Sequence, residues 1–199
     1  MNWLRYTKQN RQDIGKTAGD LLKSAKNGDR EAFGLVYKSF YTPIYRFIYF
    51  RVGDEEVAKD LTQTVFIKIF QKIEGYYSSE SKPIAYFYRV ARNTLIDHWR
   101  KNKALSLDAL TEENENAEEI SSKRELPDAL TETALSLEKL RRAIPLLAAD
   151  QQEVVICKFI NQLSNEETAL AMGKSEAAVR QLQCRALKAL RRVLQEYVE

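Results

Sequence analysis

The stretch Ser164-Asn-Glu-Glu-Thr-Ala-Leu-Ala-Met-Gly-Lys-Ser-Glu-Ala-Ala-Val-Arg-Gln-Leu carries the residues best suited to recognition chemistry. Ser164 and Glu167 have the spacing of a capping box, in which each side chain satisfies the other's free backbone amide and starts a short helix. Gly173 supplies a turn, and Ser175 can cap a second helix running toward Leu194. Ala169, Gly173, Val179 and Leu182 put a small residue at a helix crossing, a glycine in the turn and two apolar anchors under the second helix. This pattern predicts a helix-turn-helix whose second helix enters a DNA major groove. Lys174, Glu176, Arg180, Gln181, Gln183, Arg185 and Lys188 then point outward. Arginine and glutamine suit bidentate readout of guanine and adenine edges, and a lysine near the helix start suits phosphate. The plainer alternative is a helical hairpin with a solvated face.

A second constellation lies between Tyr76 and Lys103. Glu74-Gly-Tyr-Tyr-Ser-Ser-Glu-Ser-Lys-Pro is a polar loop carrying Tyr76 and Tyr77, followed by a segment with Phe87 and Tyr88 and a face of Arg89, Arg92, Asn93 and Arg100. Aromatic rings offer unpaired bases a stacking platform and arginines track phosphates, which suits single-stranded nucleic acid. The same aromatic spacing also serves a core. A third feature is the polar face Asp60, Gln63, Thr64, Ile67 and Gln71, where an outward Ile67 suggests contact with another protein.

Reactive chemistry has little to work with. His98 is the only histidine, so neither a histidine-based triad elsewhere nor a multi-histidine metal site is available. Cys157 and Cys184 lie far apart, which argues against a disulfide framework or a thiol-rich zinc site and fits a reduced, cytoplasmic setting. No glycine pattern for a dinucleotide or a phosphate loop occurs. The expectation is a binding protein rather than an enzyme, with no cofactor and no metal. There is also no apolar run of the roughly eighteen residues that a membrane span requires, and Met1-Asn-Trp-Leu-Arg-Tyr-Thr-Lys has no signal-peptide core.

The elements that must position these residues read as helices throughout. Seven glycines and four prolines are few, none of the glycines falls between Tyr76 and Met172, and hairpin signals are missing. Residues 1–19 are a polar, basic lead-in, and helical periodicity begins near Asp20 with Leu21, Leu22 and Ala25, then Ala32, Phe33, Val36, Tyr37 and Phe40 beyond a stop at Asn27-Gly28. Pro43 opens Ile44–Phe50, apolar nearly all round and therefore buried. Val57, Ala58, Leu61, Val65, Phe66, Ile69, Phe70 and Ile73 form the core stripe of a long helix started by Asp54. Pro83 begins a further helix with Ile84, Tyr88, Ala91, Leu95 and Trp99 inward. From Leu137 the period resumes with Leu140, Ile144 and Leu147, then Val154, Val155, Phe159 and Ile160.

The net charge of +3 hides a division of labour. Residues 104–135 hold nine acids and two bases, a net of −7, so the rest of the chain carries +10. The acidic stretch loses apolar periodicity and reads as a mobile, self-repelling linker with room for helix at either end. The chain thus divides into a lead-in at 1–19, a helical bundle at 20–103, the linker at 104–135 and the helix-turn-helix domain at 136–199.

Three motifs in this order resemble the extracytoplasmic-function sigma factors of bacterial RNA polymerase. They are Arg51-Val-Gly-Asp-Glu-Glu-Val-Ala-Lys-Asp-Leu-Thr-Gln-Thr-Val-Phe-Ile-Lys, Ala91-Arg-Asn-Thr-Leu-Ile-Asp-His-Trp-Arg-Lys, and the helix-turn-helix ending Arg185-Ala-Leu-Lys-Ala-Leu-Arg-Arg. The resemblance implies an all-α fold of two small domains, the sigma region 2 bundle and the sigma region 4 helix-turn-helix, joined by a flexible acidic linker. It implies a role in promoter recognition, promoter melting and transcription initiation, with no catalysis. Core polymerase would be the obligate partner, with Asp60, Gln63 and Ile67 docking on the β′ clamp helices, the β flap as a further contact, and an anti-sigma factor as inhibitor. Tyr76, Tyr77, Arg89, Arg92, Asn93, Asp97, His98 and Arg100 would recognise and hold open the minus-ten element. Lys174, Ser175, Glu176, Arg180, Gln181, Gln183, Arg185 and Lys188 would face the minus-thirty-five duplex. Two positions depart from relatives: Ala178 stands where a threonine is common, and Cys184 where a histidine is common. The alternative from a different class is a conventional helix-turn-helix regulator that binds duplex sites as a dimer without polymerase.

Overall fold

The computed structural model describes residues 9–73, 83–109 and 132–196. Its helices are α1 (Gln9–Lys26), α2 (Arg30–Val52), α3 (Glu55–Gln71), α4 (Pro83–Ala109), α5 (Glu132–Ala143), α6 (Ala149–Val155), α7 (Asn165–Met172) and α8 (Glu176–Glu196). A 3-10 turn, Ile144–Leu146, precedes α6, and a π turn, Ile156–Ile160, follows it. Among the described residues there is no strand, and no helix is long and apolar enough to cross a membrane.

Local signals set most of the helix ends. Asp29 accepts from the amides of Glu31 and Ala32 at 3.0 Å each, starting α2, and Gly53 at φ 74° ends it by donating to the Tyr49 carbonyl. Asp54 then accepts from the Val57 amide at 2.9 Å and starts α3. Two boundaries differ from the sequence expectation. Helix α1 reaches back to Gln9, ahead of Asp20, because once Ala18, Leu22 and Ala25 are packed each further residue adds a backbone hydrogen bond without needing an apolar side chain. Helix α2 runs unbroken through Pro43. The stripe Val36, Phe40, Ile44 and Phe47 is buried on both sides of the proline, and burying such side chains at about 1.5–3 kcal/mol each outweighs a proline cost of about 3 kcal/mol.

Helices α1 to α4 form the N-terminal bundle. Its centre is the stack of Phe40 on Phe87, ring centroids 4.2 Å apart, with Phe66 edge-on to Phe87 at 5.7 Å. Two side chains assigned to core stripes lie outside it. Phe70 is 51% exposed and meets Phe33 edge-on at 5.0 Å, and Trp99 is 42% exposed because α4 continues past the end of the bundle. The all-round burial of Ile44–Phe50 has a cause that periodicity does not reveal. One side of α2 faces α1 and α3, and the other faces the 3-10 and π turns of the C-terminal domain. The two halves share one continuous buried cluster, in which α4 lies along α7.

Candidate nucleic-acid interface

The helix-turn-helix is built as its residues require. The Ser164 hydroxyl accepts from the Glu167 amide at 3.0 Å, and the Glu167 carboxylate accepts from the Ser164 amide at 2.6 Å. Gly173, at φ 64° and ψ 36°, lets the Lys174 amide donate to Ala169 at 2.9 Å and its own amide to Leu170 at 3.3 Å, so the end of α7 closes on itself. The Ser175 hydroxyl accepts from the Ala178 amide at 3.2 Å and starts α8. Ala169, Val179, Leu182, Ala186, Leu190 and Val193 are buried beneath α8. Anchored along this stripe, the opposite face of α8 meets solvent.

That face holds Glu176, Arg180, Gln181, Arg185 and Lys188, all exposed, with Gln183 partly covered at its edge. Arg180 has only a loose ion pair, 3.6 Å from Glu176, one turn earlier. Lys174 is engaged within the domain, 3.0 Å from Asp150. Cys184 is exposed among the basic residues, whereas Cys157 is buried and burial pushes its thiol up. The helix thus presents guanidinium and amide groups on a rigid rod of the width the major groove accepts.

On α4 the sequence-assigned residues have diverse fates. Arg89 and Asn93 are exposed, and the Arg89 guanidinium lies 5.7 Å from the centre of the Tyr86 ring. Asp97 is bridged by Lys68 at 3.2 Å and Arg100 at 3.0 Å, while the His98 ring is 3.2 Å from the Asn102 amide. Arg92 departs from the group, because it is turned into the protein. Its Nη2 donates to the Glu153 carboxylate at 2.5 Å and to the Ala171 carbonyl at 2.7 Å, and its Nε donates to Glu153 at 3.2 Å. Tyr76 and Tyr77 lie outside the described residues.

On α3, Asp60, Gln63 and Ile67 share an exposed face, as the sequence reading expected, and Ile67 is 55% exposed. Phe70, one turn on, extends the exposed apolar surface. Sequence reasoning missed Phe70 because it also fits the core period; its spacing of three from Ile67 is the signal that could have found it. It also missed Arg51, Glu153 and Asn161, all buried and polar. A lone acid directly before Val154-Val155-Ile156-Cys157 is the one hint of such a role for Glu153. Burial lowers the proton affinity of Arg51, opposed by Glu153 at 3.1 Å, whereas the hydrogen bond to Glu153 raises that of Arg92. Among the described residues no cluster of three or more His, Cys, Asp or Glu could hold a metal ion.

Comparison with known proteins accounts for both halves. The family model "Sigma-70 region 2" matches residues 36–105, and "Sigma-70, region 4" matches residues 137–190. The N-terminal half, which a conventional dimeric regulator would use for a ligand or for dimerisation, therefore matches a sigma region instead. The ECF RNA polymerase sigma factor BldN of Streptomyces coelicolor is 35% identical over 88% of this chain, which spans 65% of BldN's length. The RNA polymerase sigma-E factor of Streptomyces antibioticus is 32% identical over 72% of this chain and 74% of its own. The fold is also that of the sigma factor RpoE solved with the anti-sigma factor NepR from Bartonella quintana, with a TM-score of 0.62 over 82% of this chain and 96% of that one at 20% identity. With both regions matched in order and relatives alike over most of its length, this chain belongs to the sigma-70 family of RNA polymerase sigma factors, within the extracytoplasmic-function group.

Proposed function

We propose that this chain works as the promoter-recognising subunit of RNA polymerase, and that the division of labour follows the segments 20–103, 104–135 and 136–199. The observation that carries the reading is the exposed row of Arg180, Gln181, Arg185 and Lys188 on a helix fixed from beneath by capped, glycine-turned packing. This row reads the minus-thirty-five element as duplex, with Lys174, Ser175, Glu176 and Gln183 at the margins. The exposed surface of Asp60, Gln63, Ile67 and Phe70 supports docking on core polymerase. The basic face of α4 with Tyr76 and Tyr77 takes the unpaired strand of the minus-ten element, so that binding free energy favours the opened promoter. The contribution is selective binding in the cytoplasm rather than bond making. RpoE was solved with an anti-sigma factor, which supports a protein inhibitor of that kind for this chain.

Run-off transcription with core polymerase tests the proposal. Addition of the chain directs initiation at defined promoters, and Arg180→Ala or Arg185→Ala weakens use of the upstream element by roughly tenfold or more, as expected for one bidentate base contact. Permanganate footprinting separates these variants from Tyr76→Ala and Tyr77→Ala, which bind but open poorly. Transcription indifferent to the chain refutes the proposal.

A further inference from the structure

The exposed side of α4 carries one acid in a row of otherwise neutral or basic side chains. Arg89, Asn93, Asp97 and Arg100 follow one another at steps of four, four and three, which places them along one side of the helix, and all four are exposed. A carboxylate in this row repels the phosphates that the arginines attract. Lys68, reaching across from α3, answers it. Its Nζ donates to Asp97 Oδ2 at 3.2 Å and to the Thr94 hydroxyl at 3.3 Å, while Arg100 Nη2 donates to Asp97 Oδ1 at 3.0 Å. Thr94 is 2% exposed, so the ammonium is anchored at the base of α4 as well as at the acid.

We propose that Lys68 is a positioning residue for the minus-ten face, which holds Asp97 toward α3, sets the Arg100 guanidinium through Asp97 and keeps the row attractive to a phosphate strand. The inference rests on the promoter reading of α4. With two cations on one carboxylate the group of Lys68, Asp97 and Arg100 carries a net positive charge. Without Lys68 the remaining pair is neutral, and Arg100 is drawn to the acid alone. A bridge of this kind does little for folding. The side chains of Lys68, Asp97 and Arg100 are 36%, 51% and 79% exposed, and ion pairs so open to water contribute little to stability. Helices α3 and α4 are already joined through the core, where Phe66 meets Phe87 edge-on at 5.7 Å and Ile69, Ala91 and Leu95 are buried. What the bridge fixes is the direction of two exposed groups, which matters to a ligand rather than to the core. Lys68 follows Ile67 in the chain, so the helix that presents the exposed Ile67 surface also steers the acid on α4.

The test uses the full chain assembled with core polymerase. The probe is a short fluorescein-labelled single strand copied from the non-template minus-ten region of a promoter mapped by run-off transcription, and its binding is followed by anisotropy. Lys68→Met, which keeps the length and removes the charge, should weaken strand binding about fivefold, the scale of coupling between residues in contact, while core affinity and melting temperature hold. Lys68→Arg, which keeps the charge, should restore it. In an Asp97→Asn background Lys68→Met should cost less than about twofold more, because the acid it answers is gone. Should Lys68→Met fold poorly, Lys68→Gln, which keeps a donor for Thr94, carries the same cycle. Strand affinity unchanged in Lys68→Met overturns the inference. A full fivefold loss persisting beside Asp97→Asn also overturns it, since Lys68 would then touch the strand itself. Strand affinity falling only in step with core affinity or melting temperature reduces Lys68 to a structural role. If Arg89→Ala and Arg100→Ala both bind the strand as the parent does, the promoter reading of α4 fails. If they weaken binding while the Lys68 and Asp97 effects simply add, that reading stands and the positioning role fails.

Discussion

Gly173 is the sharpest test of how the helix-turn-helix is made. Its φ of 64° and ψ of 36° lie in the left-handed region, and both closing bonds of α7, from Lys174 to Ala169 and from Gly173 to Leu170, depend on that conformation. A Cβ added there meets no heavy atom within 4 Å, so Gly173→Ala introduces backbone strain without a clash. The strain costs about 1–2 kcal/mol. Stiffening the unfolded chain offsets about 0.4–1 kcal/mol of it. The expected net loss is therefore near 1 kcal/mol, or a fall in melting temperature of about 2–4 °C for a chain of this size. Gly173→Asn should lose less, because a short polar side chain tolerates the left-handed region. Circular dichroism melts measure the stability, and duplex DNA binding well below the melt measures the geometry of α8, which should be unchanged because Val179, Leu182 and Ala186 fix it from beneath. An alanine variant as stable as the parent would refute the left-handed turn. A loss above about 3 kcal/mol would refute the open space around it, since that is the scale of overpacking.

The capping box gives a second measurement: Ser164→Ala should cost about 1 kcal/mol by thermal or urea unfolding. The Glu138 carboxylate accepts from Arg141 at 2.5 and 2.7 Å and from Arg142 at 3.0 Å, which holds it down at about 2 from the usual 4.5. The stabilisation is therefore complete above pH 4.5 and is lost as pH falls toward 2, and Glu138→Gln should flatten that part of a stability-against-pH curve. Ile67→Glu should leave the fold intact, since the side chain is 55% exposed, while weakening co-purification with core polymerase.

The parts legible in the sequence are those set by neighbours along the chain. Ser164, Glu167, Gly173 and Ser175 act on backbone groups within five residues of themselves, so their types and spacing suffice to draw the helix-turn-helix. Asp54 and Pro83 mark helix starts for the same reason. Phe70 and Trp99 were misread because a periodic pattern gives the face a residue shares but not how far the covering helix extends over it. Pro43 misled in the opposite sense, its local penalty being overruled by packing on both sides.

The sequence by itself determined an all-helical chain, two basic parts separated by an acidic stretch, and the residues that α8 exposes to solvent, because caps, turns and amphipathic period are encoded over short spans. Only the tertiary structure decided that Arg51, Arg92 and Glu153 meet across the seam, although Arg51 and Glu153 are 102 positions apart in the chain. Read singly, each is a charge expected at the surface. Packed together between α2, α4 and α6, with Arg51 and Glu153 buried and Arg92 partly so, they pair with one another and take Arg92 out of the face to which its sequence neighbours belong.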